Sequence, residues 1–156
     1  MGEIARILAQ NGDKQARIRM TLARGIIGVN TSLNARLVVR LLPAILKNDP
    51  SAIQCAFKWV PIDLWTSSDL EAIKAGVTGL KNSVEPNETW RMTVEMRRYT
   101  ALHKIEIIRE IAEIFDQKVI LENPDKNVRI EILGNQAGIS VLRPQEEFSI
   151  AKTPAP

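Results

Sequence analysis

Strict alternation of apolar and polar residues marks the middle of the chain. In residues 89–97, TWRMTVEMR, every second side chain is apolar, beginning with Trp90. Successive side chains of a strand point to opposite faces, so this pattern predicts a half-buried strand with one apolar and one polar face. Apolar residues then recur at helical spacing over residues 102–116, which predicts an amphipathic helix.

The stretches after this helix predict the rest of a sheet. The apolar stretch KVIL, residues 118–121, follows the strand and the helix, which predicts a parallel strand pair joined by a right-handed crossover. The segment Asn-Pro-Asp at 123–125 predicts a turn. VRIEIL at 128–133 and AGISVL at 137–142 flank a Gly-Asn pair at 134–135, a pattern typical of a β-hairpin.

The N-terminal part is less regular. Its first 20 residues are compatible with a helix, and GIIGVNTSL, residues 25–33, predicts a strand. Thr31, Ser32 or Asn34 can cap the amphipathic helix that follows. Pro43 lies inside that helix, so we expect it to kink or interrupt the helix.

A second strand and helix are predicted after residue 55. AFKWVPIDLW, residues 56–65, alternates like a strand in which Pro61 is tolerated only at an edge or a bulge. The helix that follows has two candidate caps, Ser67 and Ser68, with Glu71 placed three residues after the second.

Composition describes an ordinary globular chain. Its 156 residues, 45% of them apolar, suffice for one domain or two small ones. No apolar run reaches the roughly 18 to 20 residues of a membrane span, and Glu3 stands where a signal peptide would carry a basic residue. The single cysteine, Cys55, excludes an internal disulfide. We therefore expect a soluble, cytoplasmic protein.

The basic residues are unevenly distributed. Up to Asp49 there are eight Lys or Arg residues and three acids, whereas the remainder holds 13 basic and 15 acidic residues. This asymmetry indicates that the first segment adds attraction for phosphate to whatever the second recognises. A solvated surface with uneven charge is the alternative.

Residues capable of catalysis are scarce. The only histidine, His103, is expected at the surface near a helix start, and Cys55 has apolar neighbours typical of a partly buried strand thiol. The glycines at 25–28 and 134–138 match neither a dinucleotide fingerprint nor a P-loop. We therefore expect no catalytic residue, metal site or cofactor, and we expect that the chain is not an enzyme.

A basic cluster is the strongest candidate site. Arg97, Arg98 and Lys104 surround Tyr99 where the predicted strand leads into the helix, and helix N-termini attract phosphate. The alternative is that these arginines pair with glutamates to brace the sheet. The three tryptophans are expected in the core or at a domain junction, with stacking on RNA bases as the other possibility: Trp59, Trp65 and Trp90.

The order of these segments resembles the THUMP domain. A strand ends in paired arginines, a helix follows, and a later strand is closed by Asn-Pro-Asp before the hairpin that reads GISV. Upstream, GIIGVNTSL and WVPID resemble the segments that precede this domain in its stand-alone members. Those members are the adaptors for tRNA cytidine acetylation and their archaeal relatives.

The resemblance implies an α+β fold. We expect a short ferredoxin-like unit, complete or truncated, over residues 1–65, a THUMP domain with a mixed parallel and antiparallel sheet over residues 66–150, and a frayed tail at 151–156. It also implies a protein that binds the acceptor stem and 3′ end of tRNA. The implied partner is a separate cytidine acetyltransferase that makes 4-acetylcytidine.

The resemblance transfers binding roles to Arg97, Arg98 and Lys104, and a structural role to the turn at 123–125. The complete set of predicted RNA-binding residues consists of eight basic side chains: Arg97, Arg98, Lys104, Arg91, Lys58, Arg24, Arg36 and Lys126. Two other functions remain open. One is a small ferredoxin-fold enzyme that binds an anion, and the other is a protein-interaction module.

Overall fold

The computed structural model describes residues 1–150, so the predicted tail at 151–156 lies outside the described residues. The chain divides into two compact units. The first comprises Met1–Arg19, Ile27–Pro61 and the described residues from Gln145 onward, and the second comprises Met20–Ile26 and Ile62–Pro144. The predicted boundary at residue 65 stays a prediction.

The first unit contains two helices and two small sheets. Its elements are α1 (Gly2–Gln10), β1 (Arg17–Met20), β2 (Ile27–Asn30), α2 (Ala35–Asn48), β3 (Lys58–Trp59) and β8 (Phe148–Ser149). Strand β1 pairs with β2, and β3 pairs antiparallel with β8. Ile7 of α1 and Leu42 of α2 lie in one buried cluster. The described part of this unit thus has two-stranded sheets in place of the four-stranded sheet of a ferredoxin-like domain.

Three features of this unit differ from expectation. Helix α2 is capped by Asn34 and continues through Pro43, which is exposed, without the predicted interruption. Proline removes one backbone hydrogen bond from a helix. The helix nevertheless continues, because it packs on the rest of the unit through other residues, such as the buried Leu42. Strand β1 was not predicted because four residues carry too little pattern. Cys55 is exposed and lies outside any strand.

The second unit is a four-stranded sheet with two helices. Its elements are β4 (Leu64–Ser67), α3 (Leu70–Leu80), β5 (Trp90–Arg97), α4 (Lys104–Ala112), β6 (Lys126–Leu133) and β7 (Gln136–Leu142). The strand order is β4-β7-β6-β5, with β5 and β6 parallel and the other pairs antiparallel. The mixed sheet and the β6–β7 hairpin confirm the predicted α+β fold.

The apolar face of this sheet forms the main core. Val94 of β5 and Ile130 of β6 pack in one cluster with Ile73 of α3 and with Ile107 and Ile111 of α4. Their burial follows the alternation along β5 and the helical spacing in α4. The two helices therefore cover one face of the sheet, and the polar side chains of β5 point to the other face.

The parallel partner of β5 was predicted wrongly. The stretch KVIL contributes only an isolated bridge between Val119 and Trp90, and the long parallel ladder forms with β6 instead. Val119 and Leu121 are more than half exposed, whereas β6 is buried on both faces. Burial over eight residues favours β6 as the partner. Helix α4 also ends at Ala112, four residues before the predicted end.

The segment before α3 also differs from its prediction. AFKWVPIDLW forms two strands, β3 and β4, which belong to different sheets, and the buried Pro61 lies between them. Helix α3 is capped by Asp69, whose carboxylate accepts a 2.9 Å hydrogen bond from the Ala72 N–H, and not by either serine. Carboxylates are effective caps because their negative charge is also attracted by the partial positive charge at the N-terminus of the helix. Within residues 1–150, no helix is long and apolar enough to cross a membrane.

Candidate nucleic-acid interface

Several loops of the second unit meet at one end of its sheet. The Gly134 N–H donates to the Arg97 carbonyl at 2.9 Å, and the Ser68 N–H donates to the Asn135 carbonyl at 3.0 Å. The Tyr99 hydroxyl donates to the Ser68 carbonyl at 3.1 Å. We call this region the turn end, made of residues 65–69, 97–99 and 133–136 with the segment 22–24 described next. It lies at the carboxyl ends of the parallel strands, where open α/β sheets commonly bind ligands.

The connection between β1 and β2 also reaches the turn end. Leu22 packs over Gly134, with its Cδ2 atom only 2.9 Å from where a Cβ would stand. Gly134 has a φ of +59°, a left-handed backbone that glycine adopts without strain. Arg24, two residues beyond Leu22, is exposed. The close approach at Gly134 thus brings the segment that carries the exposed Arg24 to the β6–β7 turn.

Arg97 has both a structural partner and exposure. Its Nη1 atom lies 3.1 Å from Oε2 of Glu131, whose other oxygen lies 2.6 Å from Nε of the buried Arg129. About a third of the Arg97 side chain, 33%, is exposed. The bracing alternative is therefore real for Arg97. A guanidinium has five N–H donors, so the ion pair leaves others for a ligand.

Arg98 and Lys104 are exposed cations on either side of the loop that leads into α4. Arg98 has a φ of +57°, a backbone conformation that costs an ordinary residue roughly 1–2 kcal/mol. Lys104 is the first residue of α4. With Arg24 and Arg97, they give this side of the unit four cations that reach solvent.

The start of α4 is not an open anion site. Oε1 of Glu106 lies 3.4 Å from the His103 backbone nitrogen, which donates to it, so a carboxylate already occupies the first turn. The negative charge of Glu106 offsets the partial positive charge of the helix N-terminus and so weakens its attraction for another anion. His103 is exposed, as predicted. The basic side chains, and not the helix terminus, are therefore the candidates for a phosphate contact at this end.

Two predicted binding residues lie toward the opposite end of the sheet. Lys126 is buried, and its Nζ atom lies 2.6 Å from the Ser83 carbonyl and 2.7 Å from Oε1 of Glu88. This ammonium group is enclosed by protein acceptors, so the structure corrects its assignment as a contact for RNA. Arg91 is partly buried and donates to the Leu121 carbonyl at 3.3 Å.

The other two predicted residues belong to the first unit. Lys58 is exposed on β3. Nε of Arg36 lies 2.5 Å from Oε2 of Glu146, a buried carboxylate that also lies 3.5 Å from Arg40. Arg36 therefore contributes to packing within its own unit. Of the eight predicted residues, Arg24, Arg97 and Arg98 belong to the segments of the turn end, and Lys104 follows them in the chain.

One tryptophan of this end departs from the favoured expectation of packing in the core or at a domain junction. Trp90 is 2% exposed and packs on Phe115, with 4.5 Å between ring centroids, as expected of a core tryptophan. Trp65 is 50% exposed. The alternation of Asp63, Trp65 and Ser67 was the available signal, because it assigns the indole to the polar face of β4.

The electrostatics of the turn end also involve Asp69. Oδ2 of its carboxylate accepts the Ser67 hydroxyl at 2.5 Å, and this bond, with that from Ala72, lowers the pKa of Asp69.

Within residues 1–150, no group of three or more His, Cys, Asp or Glu side chains is arranged to hold a metal ion.

Comparison with known proteins gives the class of the second unit. Residues 67–142 match the family model of the THUMP domain, and the chain carries a THUMP domain there. No curated protein matches the chain in sequence. THUMP domains bind RNA.

Solved structures share the fold over both units. The crystal structure of PH1313 from Pyrococcus horikoshii Ot3 aligns with a TM-score of 0.66 and 16% identity, covering 96% of this chain and 48% of that chain. TrmN from Thermus thermophilus aligns with a TM-score of 0.59 and 13% identity, covering 92% of this chain and 43% of that chain. The chain therefore spans about half the length of the structures it matches.

Proposed function

We propose that this protein binds tRNA through the turn end of its THUMP domain and presents it to a separate modifying enzyme. The observation that carries the proposal is that the segments bearing Arg24, Arg97 and Arg98 meet at one end of the sheet, and that Lys104 begins the helix that follows. Guanidinium groups bind phosphate through paired hydrogen bonds, and folded RNA is recognised mainly through phosphates, shape and unpaired ends.

The acceptor stem and 3′ end are the proposed part of the tRNA. The resemblance to stand-alone THUMP adaptors supports this choice. The proposed partner is a cytidine acetyltransferase that forms 4-acetylcytidine. Holding the rigid end of a tRNA raises the local concentration of the substrate to roughly the millimolar range for a tethered enzyme.

In this proposal the chain performs no chemistry itself. Purified protein incubated with unmodified tRNA, acetyl-coenzyme A and ATP should yield no acetylcytidine. Addition of a cytidine acetyltransferase should yield product, and the yield should fall when the chain is omitted. Acetylcytidine formed by the chain alone would overturn the adaptor role.

The binding step is tested by salt dependence. Each phosphate contact releases counterions, so the logarithm of the tRNA affinity should fall steeply and linearly with the logarithm of salt concentration. Filter binding or fluorescence anisotropy with labelled tRNA at several salt concentrations measures this slope. An affinity that is independent of salt, or no binding at low salt, would contradict the proposal and favour a protein-interaction module.

A further inference from the structure

Trp65 lies on β4, an edge strand of the sheet, and is half exposed. Its partner in the β4–β7 register is Gly138. A Cβ on Gly138 would stand 3.1 Å from Cζ3 of Trp65 and 3.1 Å from two atoms of Ile62. The missing side chain therefore lets the indole pack close to the sheet backbone, which fixes the ring while leaving much of it exposed.

The side chains that line the cleft beside Trp65 are polar and uncharged, and the hydroxyl of one of them, Ser67, donates to the Asp69 carboxylate. An open cleft of about 310 Å³ is lined by five residues: Trp65, Thr66, Ser67, Asn135 and Gln136. The exposed side-chain amides of Asn135 and Gln136 offer both donors and acceptors, as the edges of nucleobases require. Glu131, which is level with Gly138 across β6 and β7, is engaged by Arg97 and Arg129.

We propose that Trp65 is a stacking platform for an unpaired nucleobase of the bound RNA, with Asn135 and Gln136 contacting the edge of that base. The inference rests on the proposed function and adds a residue that selects unpaired RNA. The arginines of the turn end attract the phosphates, and an exposed aromatic ring stacks on a base of any sequence. A wholly apolar partner would leave the two amide groups without hydrogen-bond partners, which disfavours such an occupant.

Two RNA probes separate stacking from phosphate binding. One is a short RNA duplex with an unpaired 3′ overhang, and the other is the same duplex with blunt ends. Trp65→Ala in the full chain should weaken binding of the overhang duplex at least about fivefold, since stacking contributes roughly 1–3 kcal/mol per base. Binding of the blunt duplex should not change. Trp65→Phe should keep most of the affinity for the overhang duplex.

A matched control is Phe57→Ala, because Phe57 is an aromatic residue of similar exposure, 48%, in the first unit. This variant should bind both probes like the wild type. Equal binding of both probes by Trp65→Ala and the wild type would overturn the stacking role while leaving the proposed function intact. Failure of the wild type to bind either duplex or whole tRNA would overturn both.

A direct readout guards against loss of folding in the alanine variant. The overhang duplex should quench part of the tryptophan fluorescence of the wild type, and this part should be absent in Trp65→Phe, which retains Trp59 and the buried Trp90. The blunt duplex should quench less in the wild type. Identical quenching by the overhang duplex in both proteins would overturn the proposal, because the base would then contact neither face of Trp65.

Discussion

The two ends of the THUMP sheet differ in whether their basic side chains are buried or exposed. At the end where β5 and β6 begin, which we call the closed end, Lys126 binds Glu88 and the Ser83 carbonyl in the interior. At the turn end, Arg98 reaches solvent and Arg97 is only partly enclosed. The same residue class therefore stabilises the fold at one end and is available to a ligand at the other.

At the closed end, hydrogen bonds to two carboxylates lower their pKa values. The Asp125 carboxylate accepts the Thr89 N–H at 2.8 Å and the Thr89 hydroxyl at 3.1 Å, and the first of these bonds chiefly lowers the pKa of Asp125. Burial opposes ionisation of Glu88, but its bond with Lys126 and that with the Glu85 N–H lower its pKa nonetheless. These bonds fasten the segment before β5 to the start of β6.

Replacing Lys126 should have the largest effect, and it should lower the free energy of unfolding without changing the affinity for RNA. Lys126→Met keeps the aliphatic stem but leaves Glu88 and the Ser83 carbonyl without their cation, which should cost about 2–3 kcal/mol of unfolding free energy. Chemical denaturation measures this loss. The matched variant Lys104→Met, at an exposed site, should change stability by less than about 0.5 kcal/mol. If Lys126→Met were as stable as the wild type but bound RNA weakly, the contrast between the two ends would fail.

Removing Arg97, the last residue of β5, together with Arg98, which follows it, should have the opposite profile. The double variant Arg97→Ala, Arg98→Ala should lose about 1–3 kcal/mol of tRNA binding free energy through lost charge-assisted hydrogen bonds. Its unfolding free energy should fall by no more than about 1 kcal/mol, because the Arg97–Glu131 pair is partly exposed. Binding titrations and thermal melts of the same samples distinguish the two effects. A lowered thermal midpoint with unchanged affinity would assign these arginines to bracing alone.

Asp125 should show a smaller, pH-dependent effect at the closed end. Its pKa is lower in the folded state than in the unfolded chain, so its stabilising contribution is present above the unfolded pKa and is lost as pH falls through the folded pKa. Asp125→Asn should therefore lower the thermal midpoint at neutral pH, and the gap from wild type should shrink in acid. The exposed Asp116→Asn controls for loss of a surface carboxylate. A gap that persists at the lowest pH would exclude the carboxylate as its source.

Arg98→Gly should give the smallest change in stability and sharpen the contrast most. Glycine adopts the φ of +57° at this position without strain, so the fold should gain about 0.5 kcal/mol after the entropic cost of glycine in the unfolded chain. Affinity for tRNA should nevertheless fall. Arg109→Gly removes the same charge from the last turn of α4 and should destabilise by up to about 1 kcal/mol. Loss of stability in Arg98→Gly would show that its side chain holds the loop.

The site was only partly predictable from sequence. Arg97 and Arg98 were identified because they follow a strand of unmistakable alternation and precede a helix. Arg24 was counted among the basic residues, but no sequence pattern brings it to the turn end; the packing of Leu22 over Gly134 does so. Lys126 was misassigned because a lysine beside a turn resembles a surface residue until its acceptors, which are about 40 positions away in the chain, are in place.

What the sequence determined by itself is the nature of each element and which of its faces is apolar. The alternation in β5, the helical spacing in α4 and the hairpin at Gly134 are local, and each is written in the order of side chains along a few turns or pleats. Tertiary structure decided which strands pair and which charges are buried: β6 and not KVIL lies beside β5, Lys126 is inside, and Trp65 is half outside. Pairing and burial depend on competition between distant segments for the same neighbours, and a local pattern holds no record of that competition.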